Sequence, residues 1–582
     1  GGNCDGFQIY GNVVWDSVVG NGTFGFGEPV APLNPGISAD RSFSNTKIYN
    51  NTIIRGTSGI TNGMAIMAGS NNEVYNNLFV DAVTGTWPYF YNGPGAAYRS
   101  NAYTWNYTGE SGAVVNAPKT QTINYSGSTF QLPVIDGVGS PLFSGNGTVS
   151  TPTPTPIPPT TTTSYTLTVS RSGMGPGDVL SATAGVNCGS DCSEVYNSGS
   201  QVILNAVPTA GVVFTGWSGD CSGTGSCSLT MNAPKSVNAN FDLAPATATP
   251  TPTPGSTTPL PTPAPATAST PTDCSKVVCR YVTPSGSGTK DGTSWSNAFA
   301  GIPTGGDTGG GYYFTGSLIR GATYFIASGS YSKNIVFRDA VTSVAGVPQW
   351  ITIKKAIDST RCAQMNKTSG DCHGTDTGWS DSLGAGATTF SGALYFVADY
   401  YSVDGQVRNE SIWNEPGSYG IRVSSSIVSS DAAFGGDAGA NLKFQYMDVG
   451  SAYSDTYSSG NVSYGFQLTS YNSKTLTNLT ISRCYVHNVG VPVFAKQTDG
   501  VIVEYSHLGP SWQKETIIGH LPSINYTIRH NRMIDSCQGI PGQADADSCS
   551  ATIASWANNS TSTTGSDNWT IYGNIIARTA KS

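Results

Sequence analysis

A chain of 582 residues with a net charge of −8 and only 11% charged side chains is long enough for several domains and too poor in basic residues for a nucleic-acid surface. Its apolar runs fall short of the roughly 20 residues that a membrane-spanning helix needs, and its many Gly, Ser, Thr and Asn residues suit an extracellular β-rich protein. The sequence starts without an initiator Met or a signal peptide, which reads as a processed or excised segment.

The first element in chain order is Gln8-Ile-Tyr-Gly-Asn12, with the apolar pair Val13 and Val14 behind it. It returns as Lys47-Ile-Tyr-Asn-Asn51 and Glu73-Val-Tyr-Asn-Asn77, and far along the chain as Thr527-Ile-Arg-His-Asn531 and Thr570-Ile-Tyr-Gly-Asn574. Weaker copies are Phe444-Gln-Tyr-Met447, Ile481-Ser-Arg-Cys484 and Val503-Glu-Tyr-Ser506. Joining Ser582 to Gly1 makes the steps from Met447 onward 37, 22, 25, 43, 20, 39 and 26 residues. The long steps contain Gly/Ser/Asn-rich stretches such as 20–43 and 537–567, read as insertions. A short alternating strand, an Asn and a second apolar pair make one coil of a solenoid, whose apolar face is buried only when coils stack. The Asn is expected at the corner, where it tolerates left-handed geometry and hydrogen-bonds coil to coil. Ordinary strands of a sandwich are the alternative.

These repeats resemble right-handed parallel β-helix proteins of the pectate-lyase-like superfamily. The run Arg280-Tyr-Val-Thr-Pro-Ser-Gly-Ser-Gly-Thr-Lys-Asp-Gly-Thr-Ser-Trp295 is similar to the opening of such domains, and 321–331 to their first coil. The resemblance implies an all-β fold in which residues 280–582, followed by 1–145, form one β-helix within a chain or between neighbouring chains. The domain reading is thus 1–148 for the C-terminal coils, 149–163 and 244–272 for linkers, 164–243 for an inserted module and 273–582 for the N-terminal and central coils.

The linkers are Thr/Pro-rich, as in Thr249-Pro-Thr-Pro-Thr-Pro254; alternating Pro forbids helix and favours extended polyproline II. The module alternates as strands do, from Tyr165-Thr-Leu-Thr-Val169 to Ser236-Val-Asn-Ala-Asn-Phe241. Its run from Phe214 through Trp217 to Cys227 resembles bacterial repeats of the Listeria–Bacteroides (InlB B-repeat-like) type, which implies a β-grasp-like spacer or interaction module. Trp217 is read as core rather than as a sugar platform.

Twelve Cys are present, and close spacing suggests disulfides Cys188/Cys192, Cys221/Cys227, Cys274/Cys279, Cys362/Cys372 and Cys537/Cys549. Cys4 and Cys484 remain, too far apart in coil register to bond; Cys4 could instead join Cys537 or Cys549. No metal site and no cofactor is expected.

For an enzyme, the resemblance turns attention to the stretch from Lys496 to Asp535, with Asp499, Lys514, His520 and Arg529 as the residues that would carry catalysis. His487, His507 and His530 sit at different offsets from their corners and do not stack, so a solvated polar face is the plainer reading. Asn-X-Ser/Thr triplets number 13, close to chance for this composition, and leave glycans as further partners open.

A β-helix cut between coils exposes backbone groups and an apolar interior at each cut face. Here the faces are complementary, through Gln8, Ile9, Tyr10 and Asn12 on one side and Trp569, Ile571, Tyr572 and Asn574 on the other. The functional expectation is a structural subunit of a secreted, bacterial cell-surface filament, a head-to-tail homopolymer joined by β-helix completion. Closure within one chain, through the 29 residues of the second linker, and a covalent tandem array are the other geometries. A polysaccharide lyase or hydrolase, and an adhesin or carbohydrate-binding protein, are the alternative functions.

Overall fold

The computed structural model describes residues 4–15, 24–26, 43–55, 69–81, 97–99, 101–103, 114–115, 119–125 and 128–134; 164–173, 177–181, 187–188, 192–197, 201–208, 212–224 and 227–243; and 274, 277–306, 311–344, 346–365, 367–409, 412–424, 428–429, 439–450, 464–469, 474–511, 516–534, 552–556 and 566–577. They form two units, residues 1–147 with 271–582, and residues 148–270.

The first unit is three rows of short strands, each strand parallel to the next in its row. The first row runs from Val278–Thr283 through Leu442–Gln445, Leu476–Ser482, Val491–Glu504 and Thr527–Arg529 to Thr570–Tyr572. It then continues without a gap into Gln8–Tyr10, Lys47–Tyr49, Glu73–Tyr75 and Ala97–Arg99. The second row is a 13-stranded sheet from Gly329–Tyr331 to Val114–Val115. The third runs from Tyr312–Phe314 through Tyr464–Thr469, the first half of Val491–Glu504, Ile517–Ile524 and Ile553–Trp556 to Phe24–Phe26. The chain visits the rows in one order on each pass, and each pass lies one rung beyond the last. That is the strand pairing a parallel β-helix requires.

Period-2 alternation explains the core. Phe444, Ile481, Val503, Ile528, Ile571, Ile9, Ile48 and Val74 occupy one inward column, and all are buried. They belong to one continuous apolar cluster that also holds Val14, Met533 and Ile576 from the second row, so described residues between Phe7 and Val74 and between Val282 and Ile576 share a single core.

Two expectations need correction. The stretches 20–43 and 537–567 are more than insertions, because each carries a third-row strand, Phe24–Phe26 and Ile553–Trp556, which pair with one another. Beyond Val114–Val115 the parallel ladder gives way to an antiparallel hairpin of Lys119–Tyr125 and Ser128–Val134, where further coils were expected to 145.

At the opening of the ladder, Trp295 is buried and donates its indole N–H to the His373 carbonyl at 3.0 Å. Tyr281 and Trp379 pack on it at 5.0 and 5.1 Å. Disulfides join Cys274 to Cys279 and Cys362 to Cys372, the latter tying the helices Ser359–Gln364 and Ser369–Cys372 together.

The second unit is a pair of four-stranded sheets. In one of them the first strand, Ser164–Ser172, lies parallel to the last, Lys235–Leu243, the central pairing of a β-grasp; no helix is present among its described residues. Trp217 is 5% exposed and sits edge-on to Phe214 in the module's core.

Candidate functional site

The eight residues singled out as cut faces all lie where the strand Gln8–Tyr10 is inserted between Thr570–Tyr572 and Lys47–Tyr49. Gln8, Ile9 and Tyr10 pair in register with Thr570, Ile571 and Tyr572 on one side and with Lys47, Ile48 and Tyr49 on the other. Both edges are hydrogen-bonded. Gln8 and Val13 donate their backbone N–H groups to the carbonyls of Trp569 and Asn574 at 2.8 and 2.9 Å, while Lys47 and Thr52 donate to Phe7 and Asn12 at 2.8 and 2.9 Å. The closure is within one chain, so the exposed edges that a cut β-helix would present are satisfied in cis.

Three columns cross this seam. The innermost is aromatic: Tyr526, Trp569 and Phe7 are fully buried, with ring centroids 4.2 Å apart for the first pair and 5.8 Å for the second.

The second column is amide. Each Asn side chain donates through Nδ2 to Oδ1 of the next, from Asn531 to Asn574 at 3.1 Å, then to Asn12, Asn51, Asn77 and Asn101, each at 2.9 Å. Each Oδ1 also accepts the backbone N–H of the preceding Asn at 2.9 to 3.1 Å. A buried carboxamide has two acceptor lone pairs and two donors, and the ladder satisfies them. These Asn residues are not the left-handed ones, which corrects the corner expectation. The positive-φ position is the residue before, Gly573, Gly11, Asn50 and Asn76, at φ 65, 65, 54 and 58°. The turn there points the following Asn inward along the stack.

The third column is outward and half-buried. Tyr572, Tyr10, Tyr49 and Tyr75 stack with centroids 4.9, 4.8 and 5.1 Å apart and planes within 7°. Burial and the neighbouring phenols push the hydroxyl of Tyr49 up to about 12 and that of Tyr10 higher still. Because the rings face one another along the stack, both faces of Tyr10 and Tyr49 are covered by their neighbours.

One repulsive element lies at the seam. Asp5 and Asp567 are register partners, with the Asp5 N–H donating to Asp567 Oδ1 at 3.2 Å. Partial burial and the Asp5 charge hold the Asp567 carboxyl above its ordinary value.

The catalytic candidates do not converge. Asp499 sits at an outer corner, accepting from Asn525 Nδ2 at 2.7 Å. Arg529 is buried on the next coil against Glu504, its Nε 2.8 Å from Oε2, and donates to the Tyr572 hydroxyl at 3.0 Å. Asp499 lies five residues before Glu504 on the same strand, about 16 Å along it. His520 is on the third row, paired in register with Lys496 and 5.0 Å from the Phe494 ring. Lys514 lies outside the described residues. Ser482 donates to the other Glu504 oxygen at 3.0 Å, so both carboxylate oxygens of the buried pair are hydrogen-bonded.

Cys221 and Cys227 are bonded to one another, and Cys192 is also in a disulfide. Cys484, whose partner the sequence left open, is a buried free thiol. Cys537 and Cys549, and the side chains of Cys4 and Cys188, lie outside the described residues. No group of three or more metal-ligating side chains occurs among the described residues.

Residues 179–245 match the family described as the divergent InlB B-repeat domain. No curated protein matches the chain. The repeat domain and the disulfides indicate an extracellular or bacterial surface-associated protein. No helix among the described residues is long and apolar enough to cross a membrane.

Proposed function

We propose that the chain is a structural subunit of a bacterial cell-surface assembly. The coil stack serves as a rigid shaft, the B-repeat-like module is carried on its Thr/Pro tethers, and the seam is the joint at which chains link head to tail. The observation that carries this reading is the in-register insertion of Gln8–Tyr10 between Thr570–Tyr572 and Lys47–Tyr49. Within this chain the backbone runs from one part of the shaft to the other through residues 148–270, which form the second unit. Every seam contact made in cis is therefore available in trans, when residues 4–115 of one copy complete the stack of the next. Such exchange is heterologous and propagates unless it closes a ring. It is favoured by high local concentration rather than by any new contact.

The dispersal of Asp499, His520 and Arg529 supports a structural rather than a catalytic role for that face. Any glycans belong away from the corner Asn478, Asn525 and Asn568, whose Nδ2 atoms are donors to Asn441, Asp499 and Asn525 at 2.9, 2.7 and 3.1 Å.

The test is negative-stain electron microscopy with native mass measurement across a concentration series. Fibres, or rods in integer multiples of the single-chain length, are the expected result. Single rods at every concentration would remove the head-to-tail reading and leave a shaft closed in cis.

A further inference from the structure

Tyr572, Tyr10, Tyr49 and Tyr75 are register partners on four successive strands. Strands of a parallel ladder repeat every 4.8 Å or about that, and the ring centroids keep the repeat, at 4.9, 4.8 and 5.1 Å, with planes 1, 7 and 4° apart. Shared register, equal spacing and parallel planes make each ring its neighbour's copy, moved one rung along the stack. Each ring carbon therefore faces its own counterpart at one strand spacing, about 5 Å. That includes the carbons ortho to the hydroxyl groups. Two phenol pairs elsewhere have no such match. Tyr312 and Tyr395 meet edge to face at 66° and 5.9 Å, and Tyr419 and Tyr485 lie 6.3 Å apart.

The column crosses the seam, with Tyr572 on one side and Tyr10 on the other. All four rings are half-buried, so each keeps an edge towards solvent, whereas Tyr526 in the inner column is fully buried. Burial, followed by the neighbouring phenols, keeps the hydroxyls of Tyr10 and Tyr49 protonated at neutral pH. An electron taken from either ring therefore leaves together with the phenolic proton, which passes to water at the open edge.

We propose that this column is a site of oxidative dityrosine cross-linking, with Tyr10 as the residue that bonds one side of the seam to the other. The oxidant is hydrogen peroxide acting through a haem peroxidase. Each of two stacked phenols gives up one electron and one proton, and together these reduce one hydrogen peroxide to two waters. The two radicals then form a single carbon–carbon bond between facing ortho carbons. The hydrogens on those carbons move to the two oxygens and restore both phenols. Because the ladder holds the rings face to face, each radical couples with its neighbour in preference to a tyrosine met by diffusion. A bond formed within one chain locks the seam and needs only the geometry above. A bond formed between chains rests on the head-to-tail reading and makes that joint covalent.

The test is oxidation of the full-length protein, dilute and concentrated, with a haem peroxidase and limiting peroxide, followed by digestion and mass-spectrometric mapping of the cross-linked peptides. Links from Tyr10 to Tyr572 or to Tyr49 are expected as the leading products, with the fluorescence of dityrosine. Tyr10→Phe keeps a stacked ring but has no O–H to lose, so Tyr572 should disappear from the mapped links while the Tyr49 to Tyr75 link remains. If that variant does not fold, Tyr49→Phe gives the converse, with the Tyr10 to Tyr572 link retained and Tyr75 lost from the map. Denaturing gels run alongside keep the two readings apart: mapped links in a chain that stays single at every concentration uphold the site and remove the bond between chains. Absence of dityrosine from the column, or links to Tyr572 that persist in Tyr10→Phe, would overturn the proposal.

Discussion

Asn574 donates its side-chain amide to Oδ1 of Asn12 at 2.9 Å across a sequence separation of 562 residues. The same Asn12 passes the bond on to Asn51 at 2.9 Å. The ladder thus runs through the seam with the geometry it has on either side of it.

Asn12→Ala removes an acceptor used by both the backbone and the side chain of Asn574, and a donor to Asn51 and Ile571. With several buried polar atoms left unsatisfied, a loss of about 3–5 kcal/mol is expected. Asn12→Asp should rescue little, because a carboxylate facing Asn51 Oδ1 and two carbonyls lacks their donors. Chemical denaturation of both variants checks this, and a cost below 1 kcal/mol would mean that the ladder is not a major element of the seam.

Phe7→Ala should cost about 3–5 kcal/mol by opening a cavity against Trp569. Tyr49→Ala, in the half-buried outer column, should cost markedly less. The ratio of the two denaturation shifts tells whether the seam is held mainly from inside or from outside.

Glu504→Gln leaves the buried Arg529 without its counter-charge and should destabilise by about 3–5 kcal/mol, whereas the double variant Glu504→Met, Arg529→Met should recover much of that loss. A double-mutant cycle reads the coupling. Additive losses would contradict the ion pair.

Acid should act on the seam in two opposing ways. His530 is held neutral, its pKa lowered to about 4 first by burial and then by Arg529. As pH falls from about 6.5 towards 4 the unfolded chain takes up a proton that the folded one refuses, so stability falls. Asp567 is the reverse case. Its folded pKa lies above the unfolded value, so stability rises as pH falls through that range, and at neutral pH its charge is a burden. His530→Gln should flatten the pH profile between 6.5 and 4. Asp567→Asn should raise the neutral-pH unfolding midpoint, with the gain shrinking in acid. Unfolding midpoints across pH for the two variants check both signs.

The seam could be read from sequence because its signal is local. Asn531, Asn574, Asn12, Asn51 and Asn77 each follow an Ile-X or Val-X pair by a fixed offset, and one coil's register follows from one short string. The left-handed residue was displaced by one position because both residues of the corner pairs Asn50-Asn51 and Asn76-Asn77 suit such geometry, and only the backbone distinguishes the one in the turn from the one in the ladder. The third-row strands Phe24–Phe26 and Ile553–Trp556 were hidden by the Gly-, Ser- and Asn-rich sequence around them.

The most direct measurement of the central claim is a cysteine pair placed across the seam, Gln8→Cys with Thr570→Cys, oxidised at low and high protein concentration and resolved on denaturing, non-reducing gels. These positions are register partners on adjacent strands. The account predicts an internally linked single chain in dilute solution and a ladder of covalent multimers when the protein is concentrated before oxidation. Linkage that stays within one chain at every concentration would contradict assembly through the seam, and failure of the pair to link at all would contradict the seam itself.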